Sequence, residues 1–77
     1  MPYKAATFCI RYNRLHTQET RLIKVDAFSF DVAQRLARYE LPAEGEWRIE
    51  NVMYLPNTKG LFPKLLTLEQ ALDFDLQ

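Results

Sequence analysis

Residues 21–38 read RLIKVDAFSFDVAQRLAR, and the period of their apolar side chains changes once along this stretch. Over residues 21–27 apolar and polar side chains alternate, with Ile23, Val25 and Ala27 on one side, which is typical of a strand with one buried face. Further along, the apolar side chains recur at helical spacing. The stretch therefore predicts a strand that is followed at once by a helix.

The predicted helix has a defined start and a defined end. Ser29 can accept a hydrogen bond from a free amide of the first turn, and Asp31 complements the positive end of the helix. The residue before a proline disfavours the helical conformation, so Leu41-Pro42 ends the helix. The apolar stripe expected to face a sheet consists of Val32, Ala33, Leu36 and Ala37.

A first strand is predicted at residues 3–12, ahead of this stretch. Its core-facing side is formed by Ala6, Phe8, Ile10 and Tyr12. Residues 13–20 are polar apart from Leu15, which is typical of a hairpin connection. Because sequential strands joined by a short connection usually pair, we expect the first two strands to be antiparallel neighbours.

A third strand is predicted at residues 47–55, after a return at Gly45. Strict alternation places on one face Trp47, Ile49, Asn51 and Met53. It places on the other face Arg48, Glu50, Val52 and Tyr54. We expect Ile49 and residues 52–55 to contribute most to the core.

The last part of the chain predicts a short strand and a terminal helix. A strand begun by Leu61-Phe62 is limited to a sheet edge by Pro63. Thr67, followed three residues later by Gln70, matches a capping box. This motif predicts a helix over residues 68–75.

These elements predict an α+β fold. The expected sheet is antiparallel and has three to four strands, with one helix packed on a face in the order β-β-α-β-β and a short C-terminal helix. No internal repeat, low-complexity tract or linker interrupts the sequence, so residues 1–77 are expected to form a single domain. A chain of 77 residues is close to the lower limit at which one hydrophobic core outweighs the entropy of ordering.

The composition argues against membrane and secreted proteins. The chain is 48% hydrophobic and 26% charged, and no apolar run approaches the roughly 18 residues that a membrane span needs. Arg11 breaks the N-terminal apolar stretch, so no signal peptide is expected. The single cysteine, Cys9, can form no internal disulfide, which favours a reducing compartment, and the predicted location is the cytoplasm.

Residue types that carry catalysis or bind metals are scarce. One cysteine and one histidine cannot form a zinc site, and the acidic side chains are expected to be solvated. The only serine, Ser29, is explained by its position at a helix start, and Cys9 by packing in a strand. The two glycines, Gly45 and Gly60, lie too far apart for a phosphate-binding loop. We therefore expect no enzymatic activity, no cofactor and no metal.

The formal net charge of zero conceals an uneven distribution. Residues 1–38 hold seven basic and three acidic side chains, a net charge of +4, whereas residues 39–77 hold three basic and seven acidic ones, a net charge of −4. The basic side chains either form a patch beside Tyr3, Tyr12 and Tyr39 or are interleaved with acids in the folded sheet. Both alternatives stay open, because halves of a sequence need not map onto faces of a molecule.

Two segments of the sequence resemble a known family. They are residues 27–37 and residues 47–52, the latter preceded by Gly45, and the Lys4-Ala5-Ala6 start is similar too. Together they resemble the small type I-F anti-CRISPR proteins that mobile elements encode, over roughly residues 4–55. The resemblance implies a compact antiparallel sheet in strand-strand-helix-strand-strand order.

The resemblance also implies a function and a set of contact residues. Such proteins act without catalysis in the host cytoplasm: they bind the backbone subunits of a CRISPR surveillance complex and block hybridisation of target DNA to the guide. Basic positions of the family's helix fall on Gln34, Arg35 and Tyr39, with Arg38 supplying charge nearby. The predicted partner-binding residues are Gln34, Arg35, Arg38, Tyr39 and Arg48.

Two modes of contact with such a complex are open. Arg35 and Arg38 can contact protein. Acidic side chains can instead mimic phosphate in the basic channel that holds nucleic acid, and the acidic segment consists of Glu40, Glu44, Glu46 and Glu50.

Two further functions compete with inhibition of a CRISPR complex. One is nucleic-acid binding through the basic side chains of the first two strands, which are Arg11, Arg14, Arg21 and Lys24. The other is self-association through an apolar surface made of Trp47, Phe62, Leu65 and Leu66. No membrane partner is expected.

Overall fold

The computed structural model of the protein describes residues 6–56 and 63–75. Its elements in chain order are β1 (Ala6–Arg14), β2 (Thr20–Ala27), α1 (Phe30–Arg38), β3 (Trp47–Leu55), β4 (Lys64–Leu66) and α2 (Leu68–Asp75). These strands form one sheet in the order β2-β1-β3-β4, and every neighbouring pair is antiparallel. The predicted α+β fold is confirmed.

β1 runs further into the hairpin than predicted. It ends two residues later, at Arg14, while residues 3–5 of the predicted strand lie outside the described residues. The Arg14 amide donates to the Glu19 carbonyl at 2.9 Å, so the connection shortens from residues 13–20 to residues 15–19. Strands on both sides pair with the end of β1, which is why its polar residues remain in the sheet.

α1 begins as predicted and ends earlier. The Val32 amide donates to Ser29 Oγ at 3.2 Å, so Ser29 is the N-cap. The helix itself ends at Arg38, before the predicted end. The amides of residues 39–41 donate to carbonyls three residues back, so the chain continues as tight turns up to Pro42.

The buried side of α1 is narrower than predicted. Phe30, Ala33 and Ala37 are fully buried. Val32 and Leu36 are 42% and 45% exposed, so their predicted place in the core is wrong. The helix packs closely on the sheet through the small side chains of Ala33 and Ala37, and Val32 and Leu36 therefore lie at the edge of this contact.

A β-bulge in β3 changes which of its side chains face the core. Arg11 lies opposite Asn51 but Tyr12 lies opposite Ile49, so Glu50 is an extra residue on β3. The side chains packed on the core are Trp47 and Ile49 before the bulge and Val52 and Tyr54 after it. The predicted strict alternation is therefore wrong, because one extra residue moves all later side chains to the opposite face.

β4 and α2 follow β3 and complete the core. β4 begins after Pro63, whereas the predicted start at residues 61–62 lies outside the described residues. The capping box is confirmed in both directions: the Gln70 amide donates to Thr67 Oγ1 at 3.2 Å, and the Thr67 amide donates to Gln70 Oε1 at 2.9 Å. α2 spans the predicted residues and buries Ala71.

The core lies between one face of the sheet and the two helices. Its largest fully buried side chains are Tyr12, Phe8, Phe30, Ile10 and Val52. The Phe8 ring centroid lies 5.3 Å from that of Tyr54 and 6.2 Å from that of Phe30, which ties the centre of the sheet to α1. On the opposite face, one cross-strand row holds Lys24, Cys9, Met53 and Leu65.

Gly45 occupies a position that other residues tolerate poorly. Its φ is +89°, and a Cβ there would collide with the guanidinium group of Arg14. We expect Gly45→Ala to lower the free energy of unfolding by about 1–2 kcal/mol, measured by urea denaturation. The matched control is His16→Gly, because His16 has a φ of +66° and should lose nothing on becoming glycine. Equal losses for the two variants would contradict the prediction.

Candidate functional site

A cleft of about 530 Å³ lies where α1 ends and β3 begins. It is built by the last turn of α1, the loop of residues 39–46 and the first residues of β3. The side chains that line it include Arg38, Leu41, Pro42, Glu46, Trp47 and Arg48. The lining thus combines apolar carbon surface with two guanidinium groups and one carboxylate.

The two arginines of the cleft are available for a ligand. Arg38 belongs to the last turn of α1 and Arg48 to the start of β3. Within residues 6–56 and 63–75, neither forms an ion pair, and Glu46 forms none either. The other arginines of the chain all pair with carboxylates, and these are Arg11, Arg14, Arg21 and Arg35. The cleft therefore has two uncompensated cations and one anion.

Two buried hydrogen-bond donors at this end of the molecule lack an acceptor. Trp47 Nε1 and the Tyr12 hydroxyl are shielded from solvent and have no hydrogen-bond partner among the described residues. Burial raises the pKa of Tyr12 above its ordinary value, and the nearby charge of Arg38 opposes that shift. Tyr12 is therefore protonated at neutral pH. Because both of these atoms are shielded, the donors that a ligand in the cleft can reach are the guanidinium groups of Arg38 and Arg48.

A second feature lies on the outer surface of α1. Val32, Leu36 and Tyr39 are four and three residues apart, so they share one side of the helix. Tyr39, the C-cap, is 86% exposed. These three residues are termed the α1 apolar row. Exposed apolar side chains are ordinary when scattered, but several gathered on one helix are typical of a contact surface.

Three of the predicted partner-binding residues meet at the end of α1. Arg38 and Arg48 both line the cleft, although they are far apart in the sequence. Tyr39 is the C-cap of α1 and follows Arg38 directly. The α1 apolar row and the cleft are therefore neighbours on the surface.

The remaining two predicted partner-binding residues share one carboxylate. The Arg35 guanidinium lies 3.1 Å from Asp31 Oδ2, and the Gln34 amide donates to Asp31 Oδ1 at 3.5 Å. Arg35 is exposed and lies three residues from Val32 and four from Tyr39, which places it beside the α1 apolar row. Gln34 is half-buried, so it offers less contact surface.

The basic residues predicted to contact nucleic acid are largely compensated by acids. Arg14 and Arg21 both pair with Glu19, at 3.3 and 3.6 Å, and Arg11 pairs with a glutamate of β3 at 3.3 Å. Arg11 and Arg21 line a hollow of about 280 Å³, and Lys24 lies exposed on β2. A phosphate would have to compete with carboxylates for all three arginines.

The acidic segment follows α1 directly. Its exposed carboxylates belong to Glu40, Glu44 and Glu46. Glu50, the bulge residue of β3, pairs with Arg11 across the sheet. Of these acids, Glu46 lines the cleft, and Glu40 directly follows Tyr39 in the chain.

The residues predicted for self-association are dispersed. Leu65 is exposed on β4, whereas Leu66 packs against the core. Trp47 lines the cleft, and Phe62 lies outside the described residues. The described members therefore do not form one continuous apolar patch.

Neither a membrane-spanning helix nor a cluster of metal ligands is found within the described ranges. No helix there is long and apolar enough to cross a bilayer. In those same ranges, no three side chains of His, Cys, Asp or Glu gather as they would around a metal ion.

In comparisons with known proteins, no protein-family model, curated protein or solved structure matches the chain.

Sequence reasoning assigns Trp47 to a strand face and to a self-association surface, and Tyr12 to the core. It gives no role to the polar atom of either side chain. A signal was present, because a buried Tyr or Trp normally needs a partner for its O–H or N–H. The cleft itself has no such signal, since it forms only when β3 returns beside the end of α1.

Proposed function

We propose that this protein acts without catalysis, as an inhibitor that docks on a protein partner through the α1 apolar row and Arg35. The observation that carries the proposal is the exposure of Val32, Leu36 and Tyr39 on one side of the helix. An apolar helix side of this kind is suited to a groove on another protein, where its side chains leave water.

The partner to test first is the backbone of a type I CRISPR surveillance complex. The resemblance of residues 4–55 to small type I-F anti-CRISPR proteins supports this choice. Such a complex holds nucleic acid in a positively charged channel. The exposed acids Glu40 and Glu44, in the loop that follows α1, complement a channel of that charge. Occupation of the channel would block hybridisation of target DNA to the guide.

The double variant Arg35→Glu/Arg38→Glu is expected to weaken binding to a purified type I-F surveillance complex at least tenfold. Both side chains border the proposed docking surface, and the proposal has them contact acidic side chains of the partner protein rather than the basic lining of the channel. Reversal of their charges would set like charges against each other at these contacts. Biolayer interferometry with the immobilised complex measures the affinity. Thermal unfolding should change little, because both side chains are exposed and exposed ion pairs contribute little stability.

Two further variants locate the docking surface. Leu36→Glu places a charge in the centre of the α1 apolar row and should also weaken binding at least tenfold, since the charge would have to be buried in the groove. Lys24→Glu is the matched control, because Lys24 lies on the sheet face opposite the helices and should leave the affinity unchanged. Equal affinities for all variants would refute this docking surface. If the unmutated protein binds no type I complex, the choice of partner is wrong.

A salt titration separates this function from nucleic-acid binding. Direct contact with phosphates predicts that the affinity for DNA falls steeply with added salt. We expect the isolated protein to bind DNA weakly or not at all at low salt, since Arg11, Arg14 and Arg21 are paired with carboxylates. Tight, salt-sensitive DNA binding would favour the competing function.

A further inference from the structure

The cleft at the end of α1 offers donors that the described part of the chain leaves without acceptors. Arg38 and Arg48 line it, and neither has an ion-pair partner among the described residues. Trp47 forms part of the wall, but its Nε1–H is shielded, so the two guanidinium groups are the donors that face a ligand. Groups that only donate are complemented by a ligand that only accepts, which is the chemistry of an oxyanion.

The charge of the cleft favours a ligand with a single negative charge. Its lining has two guanidinium groups and the carboxylate of Glu46, so the net charge is about +1. A carboxylate balances that charge, whereas a phosphate monoester carries about −1.5 to −2 charges at neutral pH and would leave an excess beside Glu46. The planar guanidinium group also matches a carboxylate in shape, with two parallel hydrogen bonds.

The surroundings of the cleft favour a protein as the source of that carboxylate. A nucleic acid presents phosphates in a row and needs further cations along its path. The nearby Arg14 and Arg21 are both held by Glu19, so no track of free arginines leads from the cleft to the hairpin end. Leu41 and Pro42 instead provide apolar surface beside the charges, which suits the carbon stem of an amino acid.

We propose that this cleft binds one carboxylate of a partner protein, either the side chain of an Asp or Glu or the end of a chain. Arg38 and Arg48 hold the carboxylate oxygens, and the wall of the cleft contacts the carbon atoms next to them. The inference rests on the proposed function only in taking the partner to be a protein. It adds that the partner carries a carboxylate beside the groove that receives the α1 apolar row.

Fluorescence of Trp47 tests the proposal directly, because Trp47 is the only tryptophan of the chain and lines the cleft. The probes are the capped peptide acetyl-Gly-Glu-Gly-amide, the peptide acetyl-Gly-Gly-Gly with a free carboxyl end, and inorganic phosphate. We expect a saturable change with at least one peptide at millimolar concentration and weaker binding of phosphate. The peptide that binds more tightly identifies the source of the carboxylate.

Three variants assign the binding to the cleft. Arg48→Gln should weaken binding of the peptide at least fivefold, because it removes one charged fork and keeps a polar side chain at the position. Glu46→Gln should strengthen the binding about threefold to tenfold, since it removes the one negative charge of the lining that repels a carboxylate ligand. Lys24→Gln, on the opposite face of the sheet, should have no effect.

Several outcomes would overturn the proposal. They are the absence of a saturable change with both peptides, binding of phosphate as tight as that of the peptides, and an affinity that is the same in Arg48→Gln and Glu46→Gln. These titrations use the isolated protein and need no surveillance complex. A negative result in these titrations would therefore not bear on the docking test with Leu36→Glu. A negative docking test would likewise not change the affinity of the cleft for the peptides.

Discussion

Phe30→Ala is expected to lower the free energy of unfolding by about 3–5 kcal/mol, the usual range for removal of a buried aromatic ring. Phe30 is fully buried at the start of α1, and its ring lies beside that of Phe8 in the centre of the sheet. A single core in a domain of this size supplies only about 3–5 kcal/mol in total. The variant should therefore be largely unfolded at 25 °C, as measured by circular dichroism in a urea titration.

Two variants keep this result interpretable. Tyr39→Ala removes a ring that is 86% exposed, and it should cost less than about 0.5 kcal/mol. Phe30→Leu keeps most of the buried volume, should cost less than about 1.5 kcal/mol and gives a measurable transition if the alanine variant does not fold. Similar urea midpoints for Phe30→Ala and Tyr39→Ala would contradict the burial that the fold assigns to Phe30.

Tyr12→Phe is expected to raise the free energy of unfolding by about 1–3 kcal/mol, because a buried polar group without a hydrogen bond costs about that much. Tyr12 is fully buried, and its hydroxyl has no partner among the described residues. Phenylalanine keeps the ring and removes only the hydroxyl. Urea denaturation at pH 7 measures the difference, and a lower midpoint for Tyr12→Phe would show that the hydroxyl is satisfied in the folded protein.

The same side chain makes stability depend on pH in the alkaline range. Burial raises the pKa of Tyr12 in the folded protein above the ordinary value of 10.0, while Arg38 opposes that shift. Below pH 10 both folded and unfolded chains keep the proton, and the free energy of unfolding is unaffected. As the pH rises above 10 the unfolded chain releases its proton first, so unfolding becomes more favourable until the folded protein loses the proton as well.

The comparison of wild type and Tyr12→Phe isolates this effect from the other tyrosines. Between pH 9 and 11 the urea midpoint of the wild type should fall more steeply than that of Tyr12→Phe. Parallel curves would show that Tyr12 titrates alike in the folded and unfolded chain.

Local signals in the sequence predicted most of the elements correctly. The Ser29 cap and the Thr67–Gln70 capping box depend on hydrogen bonds between residues three apart in the chain. The alternation of residues 21–27 is visible in the sequence because one face of a paired strand is buried, although the pairing itself is with the distant β1. The predicted bounds of β3 and α2 are confirmed.

Features that depend on distant neighbours were predicted poorly. The bulge at Glu50 is set by how β3 pairs with β1, and no local pattern marks the extra residue. The apolar period of α1 includes Val32 and Leu36, but a helix that contacts the sheet through alanines leaves room for only part of that stripe. Val32 and Leu36, two residues of the exposed row that supports the proposed function, were thus mistaken for core.

The order of the strands and helices, the caps that begin the helices and the scarcity of catalytic and metal-binding residue types are all readable from the sequence. Folding is what brings Arg38 and Arg48 to one cleft and sets Glu50 against Arg11. The two groups of features differ in the range of the interactions that set them. Caps and periodicity depend on neighbours along the chain, whereas the compensation of a charge or the exposure of an apolar side chain depends on which distant segment folds beside it.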